Sequence, residues 1–126
     1  MTSRILITGA NTGIGYKTAE HLVKRGSHVI LACRSADKAA AAQQQLQALN
    51  AGQVDVISLD LNSLAGVRDA ANRIADQYGW LDVLINNAGL FARSRQLTAD
   101  GFEQQFGVNY LGHFLLTQRL LPVLEQ

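Results

Sequence analysis

Thr8-Gly9-Ala10-Asn11-Thr12-Gly13-Ile14-Gly15 decides how this chain is read. The apolar run Ile5-Leu6-Ile7 precedes it and reads as a buried strand. Ala19, Leu22 and Val23 follow at helical spacing, with Lys17, Glu20, His21 and Lys24 between them. The glycines therefore sit on a strand-to-helix turn, where the phosphates of a nucleotide can meet the positive end of a helix. Gly9 lets the strand turn sharply. Gly13 removes the Cβ that would keep a pyrophosphate away, and Gly15 lets the helix pack close to the sheet.

Strand and helix patterns alternate on either side of that turn. Arg4 to Thr8 is predicted as strand one and Ile14 to Arg25 as helix one, stopped by Gly26. His28 to Cys33 is a nearly unbroken apolar run, as a sheet covered on both faces requires. A helix follows from a Ser35 cap to about Leu49. Its Ala- and Gln-rich middle reads as a solvated helix held by propensity. Val54 to Leu59 is predicted as strand three. Leu64, Val67, Ala71, Ile74 and Ala75 form the inner stripe of helix three, which Gly79 closes. Leu81 to Ile85 is predicted as strand four, Asn86 to Gly89 as a turn, and the stretch with Arg93, Ser94 and Arg95 as a loop. Thr98 is expected to cap a fourth helix that runs to the end, bent near Gly107 to Asn109 and at Pro122. This β-α repeat predicts one domain over residues 1–126. Its fold class is α/β, a doubly wound parallel sheet between two helical layers, with strand order 3-2-1-4.

Composition narrows the function classes. The chain has 126 residues, enough for one core. It is 48% apolar and 17% charged with a net charge of +1, and it carries no block of like charge, which argues against nucleic acid or an anionic membrane as partner. Residues 1–4 lead directly into the first strand, so no targeting peptide is expected, no membrane association is expected, and the default location is cytoplasmic. Cys33 is the only cysteine, which excludes an intrachain disulfide and a cysteine-based metal cluster; no metal site is expected.

Four further stretches carry chemistry. Strand two ends Ala32-Cys33-Arg34-Ser35 with no carboxylate before Asp37. Arg34 offers a planar fork of donors suited to phosphate, and Lys38 adds charge. This favours NADP(H), with NAD(H) possible, because an acidic residue there would pair with a free ribose 2′-hydroxyl and repel a 2′-phosphate. Asp60-Leu61 stands at the end of strand three, where an Asp is equally an ordinary cap. Asn86-Asn87-Ala88-Gly89 follows strand four and could by itself be a turn. Asn109 lies inside the last helical pattern, an unfavourable place for a side chain that competes for backbone hydrogen bonds. His113, one turn on, reads as a packing or interface residue.

Taken together, T-G-x-x-x-G-x-G, Asp60-Leu61, N-N-A-G and Asn109 resemble the short-chain dehydrogenase/reductase family, in that family's order and rough spacing. The glycine stretch with Leu31-Ala32-Cys33-Arg34 looks most like its retinol-dehydrogenase-like and protochlorophyllide-reductase-like members. The resemblance implies a Rossmann-type fold and a nicotinamide dinucleotide held by Thr8, Gly9, Asn11, Thr12, Gly13, Ile14, Gly15, Arg34, Asp60, Leu61, Asn87, Ala88 and Gly89. In it, Asp60 and the backbone of Leu61 meet the adenine. Asn109 supports a proton relay through a water on its backbone.

The implied reaction is hydride transfer to or from a carbonyl or alcohol carbon, with a Tyr moving the proton and a Lys four residues later lowering its pKa. Here Tyr16, Tyr78 and Tyr110 are followed four residues on by Glu20, Asp82 and Phe114. Residues 1–126 are thus expected to be the cofactor half of an oxidoreductase. A nucleotide-binding module without catalysis is the alternative, and an assembly domain using the last helix a third. Strand four, apolar on both faces, is expected to be an unpaired edge, so that the chain forms a homo-oligomer or is completed by another chain.

Overall fold

A computed structural model describes residues 2–91 and 93–125. Four parallel strands, β1 (Arg4–Thr8), β2 (His28–Cys33), β3 (Gln53–Ser58) and β4 (Val83–Ile85), form one sheet in the order β3-β2-β1-β4. Between them run α1 (Gly13–Lys24), α2 (Ala36–Gln47) and α3 (Leu64–Tyr78). After β4 come α4 (Gln104–Phe106), a π-helical segment (Gly107–Gly112) and α5 (His113–Leu124). The predicted α/β order and strand sequence are those observed.

Alternation along the strands sorts the core into two layers. Ile5, Ile7, Val29, Leu31 and Val54 pack with Ala19 and Val23 of α1 and with Ala39, Ala42 and Leu46 of α2. Leu6, Ile30 and Ile57 pack on the other face with Val67, Ala71 and Ile74 of α3 and Leu116 and Leu120 of α5. Every residue of β2 is buried, as its nearly unbroken apolar run requires.

Among the described residues β4 pairs only with β1, and Val83 is 42% exposed, so the expected apolar edge is present. It is shorter than predicted. Leu81 sends its N–H to Val123 O, and the Asp82 N–H goes to Arg4 O.

The expected start of the last helix is corrected. Thr98 closes a tight turn instead: its Oγ1 accepts from Phe102 N–H, and Gly101 takes a φ of +85° there. The cap falls five residues later, at Glu103, whose carboxylate accepts from Gln105 and Phe106 N–H. The bend expected near Gly107 to Asn109 is the π segment, whereas α5 continues through Pro122 to Leu124.

Candidate functional site: a cleft at the carboxyl ends of the strands

The ends of β1, β2 and β3 and the loops after them surround a cleft of about 490 Å³. Of the residues singled out from sequence, Gly9, Asn11, Thr12, Ile14, Gly15, Arg34, Asp60, Leu61, Asn87, Ala88 and Gly89 line it. Gly13 stands exposed at the start of α1. Thr8 and Asn109 do not line the cleft; they hold its wall from behind. Ala32, Cys33, Ser35, Lys38, Leu59, Asn62, Leu90 and Val108 complete the lining.

The glycines do distinct work. Gly9 has a φ of +64°, and a Cβ there would lie 2.8 Å from Ala88 Cα. Gly13 has a φ of +60° with open space where its Cβ would be. A Cβ on Gly15 would strike Asn87 Nδ2 and approach Gly9 O to 2.5 Å, so Gly15 makes room for the amide of Asn87 as much as for the sheet.

The amino end of α1 opens on this cleft without a side-chain cap, whereas Ser35 and Ser63 cap α2 and α3. Its first N–H groups are therefore free to meet an anion. Thr12 takes the extended backbone of a cap residue but makes no cap bond.

Thr8 organises the wall. Its Oγ1 accepts from Asn87 N–H and Ala88 N–H, each at 2.9 Å, and lies 2.9 Å from His113 Nε2. Asn87 Nδ2 returns two bonds, to Thr8 O at 3.1 Å and Gly9 O at 3.2 Å. The N-N-A-G stretch is thereby stitched to the glycine turn. Beyond it, the Asn109 carboxamide grips Leu90, accepting its N–H and donating to its carbonyl, both at 2.9 Å.

The floor and rim differ in charge. Asp60 Oδ1 accepts from Asn62 N–H at 2.9 Å, an Asx turn, and the helix cap beyond it is Ser63. Arg34, just past β2, and Lys38, in the first turn of α2, are exposed, with no carboxylate among the lining residues there. Burial pushes the Cys33 thiol up, outweighing hydrogen bonds from the Ala10 and Asn11 backbone, so it is a neutral strand residue. Burial pulls His113 down, against the opposing effect of its bond to Asn109. His113 is the participant that the sequence reading left as packing. Its signal was only a histidine one turn after Asn109.

A parallel sheet with an uncapped helix end opening on a cleft at its carboxyl edge defines a doubly wound α/β domain, with the cleft where such folds take their ligands. The family model for short chain dehydrogenase matches residues 3–126, and the chain belongs to that family. Retinol dehydrogenase 13 of Homo sapiens is 48% identical over 123 residues, covering 96% of this chain and 37% of that protein. Among solved structures, an uncharacterised protein from Mycobacterium paratuberculosis is 50% identical with a TM-score of 0.84, covering 96% of this chain and 42% of that one. An alcohol dehydrogenase from the archaeon Thermococcus sibiricus, complexed with 5-hydroxy-NADP, is 28% identical with a TM-score of 0.85 over 99% of this chain and 54% of its own. The chain thus spans about two fifths of the length of the curated relative it matches. Among the described residues no helix is long and apolar enough to cross a membrane, and no group of three or more His, Cys, Asp or Glu side chains is placed to hold a metal ion.

Proposed function

We propose that the cleft binds a nicotinamide dinucleotide, NADP(H) in preference to NAD(H), and that the protein is an oxidoreductase acting on a carbonyl or alcohol. The observation that carries this reading is the uncapped amino end of α1 sharing one cleft with Arg34 and Lys38. The free amides suit the pyrophosphate. The two cations between the end of β2 and the start of α2 suit a 2′-phosphate, and a carboxylate that would repel it is missing from that rim. Asp60 and Leu61 suit the adenine, and the Asn87–Gly89 turn suits the nicotinamide end. The cocrystallised nucleotide of the Thermococcus relative supports the same choice.

A bound nicotinamide supplies or takes up hydride. The chain's own part is to bind and orient. None of its tyrosines has a Lys four residues on, so the Tyr and Lys pair that the family resemblance implies is not among these residues. A dinucleotide-binding module without catalysis rests on that same fact.

The test is a titration of NADPH and NADH against the protein and its Arg34→Asp variant. A charge-assisted hydrogen bond is worth about 1.5–3 kcal/mol, so the NADPH-over-NADH preference is expected to fall by about 10- to 100-fold in the variant. Equal affinities in the unaltered protein, unmoved by the substitution, would remove Arg34 from the account.

A further inference from the structure

The wall of the cleft from Asn87 to Leu90 is held at its two ends by different side chains. Thr8 Oγ1 takes the N–H groups of Asn87 and Ala88, and the Asn109 carboxamide takes both polar groups of Leu90. Thr8 ends β1, whereas Asn109 belongs to the π segment. His113 touches both holders. Its Nε2 lies 2.9 Å from Thr8 Oγ1, and its Nδ1 lies 3.3 Å from the backbone O of Asn109.

Counting protons fixes the state of the ring. Thr8 Oγ1 already accepts two N–H groups and has one hydroxyl proton to give, so it donates to Nε2, which must carry the lone pair. Nδ1 faces a carbonyl and so carries the proton. One neutral tautomer satisfies both neighbours. An imidazolium would press a third N–H onto Thr8 Oγ1 and strand the hydroxyl proton. The π segment makes the second contact available: the backbone N–H of His113 goes to Tyr110 O, and the ring meets the Asn109 carbonyl. Gly112 lets this segment dock, since a Cβ there would lie 2.9 Å from Leu61 O.

We propose that His113, as the neutral Nδ1–H tautomer, is a positioning residue that ties the two clamps of the Asn87–Leu90 wall together and so sets the affinity of the cleft for its dinucleotide. It does this without lining the cleft. The link to affinity rests on the dinucleotide reading, whereas the tautomer and the clamping do not.

The experiment compares the protein with H113F, H113Q and H113N. Imidazole ¹⁵N spectra of the unaltered protein should show Nδ1 protonated and Nε2 bare. Amide exchange at Asn87, Ala88 and Leu90 should quicken at least tenfold in H113F, while Ile7 and Leu31 in the strands keep their rates. NADPH should bind H113F at least fivefold more weakly. H113Q places an acceptor near Thr8 and should restore protection at Asn87 and Ala88. H113N places a donor near the Asn109 carbonyl and should restore Leu90 instead.

A proton on Nε2 overturns the proposal. So does exchange that stays unchanged or quickens equally in the strands, or an NADPH affinity unaltered in H113F. If H113F does not fold, the spectrum and the opposite patterns of H113Q and H113N still decide. If the unaltered protein binds no NADPH, the dinucleotide reading fails, and the spectrum and exchange judge His113 alone.

Discussion

Replacing Gly15 by Ala should damage the fold, whereas the same change at Gly13 should damage the cleft. At Gly15 the backbone is not left-handed, so the cost is steric. The new Cβ would sit 2.5 Å from Gly9 O and 3.0 Å from Ala10 Cα, and closer still to Asn87 Nδ2. Asn87 then has to release Thr8 O and Gly9 O. Overpacking of this kind costs about 1–3 kcal/mol, and each lost hydrogen bond about 1 kcal/mol. The sum is about 3–5 kcal/mol, a large share of the ~5–15 kcal/mol that holds a domain together.

At Gly13 a Cβ meets nothing within 4 Å, so only the left-handed backbone opposes it. That costs about 1 kcal/mol, partly offset by a stiffer unfolded chain. Thermal unfolding, at about 4 °C per kcal/mol for this size, should show Gly15→Ala lowered by ~12–20 °C and Gly13→Ala by under ~5 °C. NADPH titration should show the reverse ranking of the two variants when measured below both transitions, because the Gly13 Cβ intrudes where phosphate would approach. If Gly15→Ala melts no lower than Gly13→Ala, the contact with Asn87 does not constrain the turn and the reasoning is wrong.

Other outcomes follow from the same contacts. Thr8→Val leaves the N–H groups of Asn87 and Ala88 and the His113 ring without their partner, and should cost about 2–4 kcal/mol in urea denaturation. His113 is held below its ordinary value of 6.5, so the unfolded chain takes up its proton first as pH falls. Its contribution to stability is complete above that value and is lost as pH drops below it. Denaturation at pH 7.5 and 5.5 should therefore show a loss that is smaller in H113F. A polypeptide of these 126 residues alone should self-associate, since the β4 edge and the stacked, exposed Phe106, Tyr110 and Phe114 are apolar. A monodisperse monomer in light scattering would contradict this.

Much of the fold was legible because its signals are local. The apolar runs of β1 and β2 and the glycine turn state a buried parallel sheet and a strand-to-helix junction with no tertiary help. The start of the last helix was not, because Thr98 and Glu103 both offer cap oxygens. The choice depends on an antiparallel bridge between Leu97 and Glu103 that leaves Thr98 in a turn. Gly15 was legible as a close approach but not as the seat of Asn87, and His113 was legible as a packing residue but not as the partner of Thr8. Their partners, Asn87 and Thr8, are far away in sequence, and only the closed sheet brings them within reach. Asn109 stood out as a polar residue in a helix; that its side chain grips Leu90 depends on the π segment turning it there.

The central claim is that the cleft at the carboxyl ends of the strands is the dinucleotide site. A titration with NADPH followed by backbone amide chemical shifts tests it most directly. The expected result is saturable shifts at Gly13, Ile14, Gly15, Arg34 and Asn87 to Gly89, with Ser3, Arg4, His28 and Trp80 at the opposite end of the sheet unmoved. Shifts centred on that opposite end, or none at saturating NADPH and NADH, would contradict it.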